Sequence, residues 1–161
     1  MYYSSFETDI CRLTLVGDEQ GLKRIHLKNK SSDKVLRIEA SWIENDDFFS
    51  QARKQLLAYF KGELKTFSLK LNPDGTEYQK RVWKALQTIP YGQTRSYKEI
   101  AIMTGNEKAS RAVGMANGKN PLPIVVPCHR VIGSNGKLTG FAFGLELKKD
   151  IINLEKEGLS V

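Results

Sequence analysis

The chain has 161 residues, enough for one ordinary domain or two small ones, and a chain of that size buries about two-thirds of its extended surface without a metal or a disulfide. Its 40% hydrophobic and 27% charged residues exclude disordered and collagenous classes, and two cysteines exclude a disulfide-dense scaffold or a four-thiolate metal site. The net charge of +7 is uneven: residues 1–75 carry 12 basic and 11 acidic side chains, residues 76–161 carry 13 and 7, which points to an anionic partner, nucleic acid being the commonest.

Residues 1–9 contain Glu7 and Asp9 and no basic lead into an apolar run, so no signal peptide is expected. The longest apolar stretch, residues 122–126, is broken by Pro123, far from the roughly 20 residues that span a bilayer. A soluble, cytoplasmic protein is expected, nuclear if the source is a eukaryote.

Strands are predicted over residues 2–8, 11–16 and 21–28, where Leu13 and Leu15 alternate with Thr14 and Leu22, Ile25 and Leu27 partly alternate. Residues 17–21 read as a hairpin connection and residues 29–33 as a polar loop. Residues 36–42 fit no single pattern. A helix is predicted over 47–60, with Phe48, Ala52, Leu56 and Tyr59 on one face and Gly62 as its stop. Phe67, Leu69 and Leu71 alternate as a last short strand, and Asn72-Pro73-Asp74-Gly75 is a turn and the domain boundary.

Helices follow. Thr76 with Gln79 makes a capping box for a helix that carries Tyr78, Val82, Trp83 and Leu86 on one face and ends at Pro90-Tyr91-Gly92. Ser96 with Glu99 caps a short helix with Ile100 and Met103 inward, stopped by Gly105. Asn106 caps the next, residues 107–117. Two short helices joined by a Gly-Asn turn form a helix-turn-helix pattern, and residues 145–157 close the chain as a helix with Leu147, Ile151 and Leu154 inward.

The densest chemical cluster is residues 120–131. Prolines flanking a short apolar run predict a constrained, extended segment from which Cys128 emerges directly after Pro127. A thiol attacks only as thiolate, a form favoured by a neighbouring imidazole and positive charge, and His129 and Arg130 follow at once. The plainer alternative is a buried structural cysteine beside a core histidine. Glu155 on the last helix would orient His129 if that helix packs back.

The Pro127-Cys128-His129-Arg130-Val131 run resembles the acceptor signature of the methylated-DNA-protein-cysteine methyltransferase family, the O6-alkylguanine-DNA alkyltransferases. The likeness extends in family order through residues 79–83, Tyr91-Gly92, Ser96-Tyr97, Arg111-Ala112-Val113-Gly114, Asn120-Pro121-Leu122-Pro123, Gly144-Leu145, Lys148 and Glu155. It implies an N-terminal α/β ribonuclease-like domain (1–75) and a mostly α-helical C-terminal domain with a helix-turn-helix (76–161). It also implies DNA repair: Cys128 takes the alkyl group, chiefly methyl, from guanine O6 in double-stranded DNA, once per molecule and without a cofactor.

In that resemblance His129 takes the thiol proton through a water, Glu155 orients His129, Tyr97 donates to the base N3, and Asn120 and Lys148 organise the pocket. Residues 107–117 enter the minor groove, Arg111 fills the place of the flipped nucleotide, and the small Ala112 and Gly114 allow close approach. Tyr97 crowds the target phosphate. Ser96, Met115, Lys119, Arg130, Val131, Phe141, Ala142 and Phe143 complete the expected DNA and substrate contacts, with Lys98 and Lys108 as further phosphate partners.

The chain departs from the family at Phe141-Ala142-Phe143-Gly144, where Tyr-Ala-Gly-Gly or Tyr-Ser-Gly-Gly is usual. Phe143 in place of glycine at the pocket lip is expected to disfavour O6-benzyl more than O6-methyl groups. Met115 stands where a small residue is common, with core packing as its alternative role. Outside the acceptor motif only Cys11 and His26 remain as thiol or imidazole ligands, short of the four a structural zinc needs, so no zinc is expected. A monomer is expected. Competing readings are a protein that binds alkylated DNA with little transfer, a helix-turn-helix regulator with no use for a reactive thiol, and a cysteine hydrolase that turns over.

Overall fold

The computed structural model describes residues 1–30 and 34–159; residues 31–33 of the expected 29–33 loop lie outside the described residues. The N-terminal part is built on β1 (Tyr2–Glu7), β2 (Arg12–Asp18), β3 (Gly21–Lys28) and β4 (Ile43–Glu44), in the sheet order β3-β2-β1-β4. The first three pair antiparallel, with Phe6 opposite Leu13 and Leu13 opposite Leu27, so one face collects Phe6, Leu13, Leu15, Ile25 and Leu27. All five are buried. His26 stands on the other face, opposite Thr14. The segment that fitted no pattern leads into β4, which adds parallel to β1.

The predicted 47–60 helix is a 3-10 turn, Asp47–Phe49, running into α1 (Ser50–Phe60). That tighter start rotates Phe48 outward, against Tyr2, and puts Phe49 in the core instead. Ala52, Leu56 and Tyr59 face inward as expected. The predicted strand at 67–71 is corrected: the segment makes one isolated bridge, Leu22 to Leu71, with hydrogen bonds at 2.8 and 2.9 Å on either side of it. Its alternation is genuine, because Phe67, Leu69 and Leu71 pack on the core, yet only a residue or two reaches the edge of β3. Pro121 occupies the same edge further along, its carbonyl accepting from Ile25 N–H at 2.8 Å. The segment that leads to Cys128 is thereby tied to the N-terminal sheet.

The turn expected at residues 72–75 is not formed; irregular chain leads instead into α2 (Glu77–Leu86), with both halves of the Thr76/Gln79 capping box present. It ends at Leu86, before the Pro90-Tyr91-Gly92 turn. Gly75 is needed there because a Cβ would sit 2.5 Å from the Trp83 ring. β5 (Arg95–Ser96) leads into α3 (Tyr97–Met103), where the second capping box also forms. Ile100 and Ala101 are buried, but Met103 is half exposed; Thr104 takes the inner position. α4 (Ser110–Gly118) starts three residues later than predicted. Asn106 does not cap it, since its side chain accepts from Lys108 N–H and closes a local turn.

The extended reading of 120–131 is corrected: residues 122–126 fold into a turn closed by Val126 N–H on Leu122 O at 2.9 Å, and Cys128–Arg130 form a single 3-10 turn. β6 (Val131–Ile132) then pairs parallel with β5, placing Ser96 opposite Ile132 and so bringing the start of α3 beside the acceptor turn. Ile124, buried in the approach, holds φ at 77°, a strained value for a β-branched residue. α5 (Leu145–Gly158) packs back with Leu147, Ile151 and Ile152 buried. No described helix is long and apolar enough to cross a membrane.

Candidate active site

Cys128 is 4% exposed at the head of its 3-10 turn. Its N–H donates to Val126 O at 2.8 Å, and its carbonyl accepts from Asn117 Nδ2 at 3.3 Å. Burial raises the thiol pKa; the Asn120 amide and the Lys148 charge pull the other way without cancelling it. The resting group is therefore the thiol, and attack requires a base.

His129 is fully buried on the same turn, with Nε2 at 2.7 Å from Glu155 Oε2. Nδ1 is buried and makes no hydrogen bond with the described residues. Burial lowers the imidazole pKa, opposed by Glu155, so the ring is neutral at pH 7. With Nε2–H given to the carboxylate, Nδ1 carries the free lone pair that a general base needs.

Glu155 is the hub. Oε1 accepts from Arg130 Nε at 2.9 Å and Gly92 N–H at 3.2 Å; Oε2 accepts from Tyr59 O–H at 2.5 Å and Arg130 Nη2 at 2.9 Å besides His129. Burial alone would raise its pKa, but the bonds from His129 and Arg130 outweigh this and hold the carboxyl far below its usual range. Tyr59 lies 96 residues upstream and reads in the sequence only as a core position of α1, and Gly92 is part of the Tyr91-Gly92 likeness without a role assigned to it. Arg130, expected to contact DNA, is corrected: its guanidinium turns inward, bidentate on Glu155 and bonded to Ile89 O at 2.7 Å. All three side chains of the 3-10 turn are buried, and the buried Glu155 carboxylate needs the Arg130 counter-charge.

Lys148 is buried two helical turns before Glu155 on α5 and donates to Val131 O at 2.6 Å and Thr139 O at 2.7 Å. Burial brings its pKa down to about 8. Asn120 bonds Val126 O at 2.8 Å and Leu122 N–H at 2.9 Å, folding the approach to Cys128. Tyr97, half-buried, donates to Thr139 O at 2.9 Å, the carbonyl that Lys148 also holds.

On α4, Arg111, Ala112 and Met115 are exposed and Gly114 half-buried. Met115 at 71% exposure rules out its alternative role in the core. Lys98, Lys108 and Lys119 are exposed. The Ser96 hydroxyl is spent on the α3 cap and Val131 is fully buried, its carbonyl held by Lys148. Phe141 is half-buried and Ala142 exposed. Phe143 is not at an open lip: it is 5% exposed, edge-on to His26 with centroids 5.3 Å apart. Cys11 packs in the core, its thiol pushed up to about 11 by burial, and no group of three or more His, Cys, Asp or Glu among the described residues is placed to hold a metal.

A family model described as the 6-O-methylguanine DNA methyltransferase DNA binding domain matches residues 77–157, and one for the ribonuclease-like domain of the same methyltransferase matches residues 1–73. The methylated-DNA–protein-cysteine methyltransferase of Methanosarcina acetivorans is 57% identical over 156 residues, covering 96% of this chain and 98% of the relative. The protein of that description from Mycobacterium tuberculosis is 46% identical, covering 97% and 93%. The crystal structure of Mycobacterium tuberculosis OGT in complex with DNA superposes with a TM-score of 0.89 at 46% identity, covering 98% of this chain and 94% of that one.

Proposed function

The chain belongs to the 6-O-methylguanine DNA methyltransferase family, a repair activity that moves a methyl group from DNA to a protein cysteine, and from that premise we propose that Cys128 is the acceptor. The observation that carries this reading is the buried His129–Glu155 pair with a free Nδ1, on the same turn as Cys128. Among the described residues the His129 ring makes no hydrogen bond with the Cys128 thiol, its Nε2 being held by Glu155 and its Nδ1 unpartnered, so the proton passes from Sγ to Nδ1 through one water. The imidazolium that forms is stabilised by Glu155. Thiolate sulfur attacks the methyl carbon as the bond from that carbon to guanine O6 breaks. The departing guanine takes a proton, at N3 from Tyr97 as it leaves, and the hydroxyl is freed for this by giving up Thr139 O. The thioether offers no leaving route for a second attack, so each molecule acts once.

A thiol with 4% exposure is out of reach of a base within the stack, so the nucleotide must swing out of the duplex. α4 lies in the minor groove in this reading, with Arg111 in the vacated place and Ala112, Gly114 and Met115 against the sugar edges. Asn120, Lys148, Val131, Phe141, Ala142 and Phe143 shape the pocket. Lys98, Lys108 and Lys119 meet phosphates. Domains divide between residues 75 and 76, and one chain carries the complete site, so the reaction needs no second copy.

The test is intact mass after incubation with excess duplex carrying one O6-methylguanine, beside Cys128→Ser. We expect a single gain of one methylene mass mapped to Cys128 and none in the variant. A gain on another residue, or none with the duplex still bound, would overturn the assignment.

A further inference from the structure

A cavity of about 430 Å³ opens between β3, the segment that follows residue 33 and the end of α4. Its wall carries Arg24, Lys34 and Lys119, and no carboxylate among the described residues lines it. None of these three cations makes an ion pair among the described residues. They also crowd each other: the Lys34 pKa is lowered by burial and then by Arg24 and Lys119. His26 also lines the cavity. His26 is 6% exposed, and its Nε2 is buried without a hydrogen-bond partner. Beside it Lys34 Nζ stands 5.0 Å from the centre of the Phe143 ring.

Cations gathered without a counter-charge among the described residues fit an anion. We propose that this cavity seats a backbone phosphate of bound DNA, making Arg24 and Lys34 of the N-terminal domain part of the DNA interface. Three arguments select a phosphate. The cavity shares Gly114, Met115 and Lys119 with α4, the helix assigned above to the groove, so a duplex lying on α4 carries its backbone across the opening. A phosphodiester is a permanent anion with free oxygens for several donors at once, and such contacts position DNA without reading its sequence. The volume is ample for one phosphate group. The inference rests on the reading of α4 as the DNA-facing helix.

The experiment measures affinity for an undamaged duplex across a salt series, for the full chain and for Lys34→Gln, Arg24→Gln and the double variant. Lys23→Gln is the control, since Lys23 on the same strand pairs with Asp74 outside the cavity. Both test side chains are exposed, so folding is not at stake. We expect the slope of log affinity against log salt to flatten by about one unit for a lost phosphate contact, with severalfold weaker binding at low salt. A double variant with the wild-type slope overturns the proposal. A parallel arm uses a duplex carrying O6-carboxymethylguanine. If the variants slow transfer from that adduct relative to O6-methylguanine while the salt slope stays wild type, the anion is the adduct's carboxylate and the phosphate assignment falls. Mass gain at Cys128 of the unaltered protein is read separately, so failure of the transfer reading shows up apart from failure of this one.

Discussion

Glu155 holds five hydrogen bonds from four residues, and that crowding sets the chemistry of the whole cluster. A carboxyl held below its ordinary value adds stability that is complete above pH 4.5 and drains away as pH falls below it, because the unfolded chain then takes up protons the folded one refuses. His129, also lowered, contributes with the same sign from 6.5 downward. Glu155→Gln leaves the Arg130 charge buried and unpaired. We expect that variant to lose about 3–5 kcal/mol at neutral pH and to lack the steepening below pH 4.5. Urea unfolding at a series of pH values checks this; parallel profiles for the two proteins would refute it.

At the scale of the element, α5 works as a bracket. Lys148 and Glu155 lie on one buried face, two turns apart, and reach opposite sides of the acceptor turn. Lys148 ties Val131 at the end of that turn to Thr139, the residue that also engages Tyr97. Lys148→Met would leave these carbonyls unpaired, at about 1–3 kcal/mol each. It would also loosen residues 139–143. Because small misplacements of reacting groups are costly, transfer should slow by about 100-fold. Single-turnover kinetics on a methylated duplex provides the measurement, and a wild-type rate would show that the bracket plays no part in positioning.

Over the whole molecule, the two domains share one continuous hydrophobic core. Polar and aromatic contacts that cross between them near the site include Tyr59 on Glu155, Ile25 N–H on Pro121 O, and His26 on Phe143. The N-terminal domain thus helps to set the charge that His129 faces. In Tyr59→Phe one donor is gone from Oε2, more negative charge faces the imidazole, and the His129 pKa rises. The acid limb of the transfer rate should therefore move to higher pH, with stability down by about 1 kcal/mol; an unmoved limb would leave Tyr59 a packing role only. Phe143 tests the interface from the other side. Phe143→Gly should raise transfer from O6-benzylguanine more than from O6-methylguanine, at about 3–5 kcal/mol of stability. Unchanged relative rates would sink the idea that this ring limits adduct size.

Sequence alone determined what is local. Alternation marked β1 to β3, two capping boxes placed α2 and α3, and helical spacing found α1 and α5, because each depends on residues within a turn or a strand. The Pro127-Cys128-His129 run and its family likeness singled out the proposed acceptor by the same short-range logic. The misses share one cause. Residues 67–71 alternate like a strand, yet strand pairing depends on how much of a distant edge is open. Met103 has the spacing of a core residue, yet Thr104 takes the inner place in the packed domain. Arg130 reads as a DNA contact until a carboxylate 25 residues later claims it, and Tyr59 reads as plain core until it meets Glu155. Only the tertiary structure decided these, since the partner of a buried polar group is set by packing between remote segments, which no window of sequence contains.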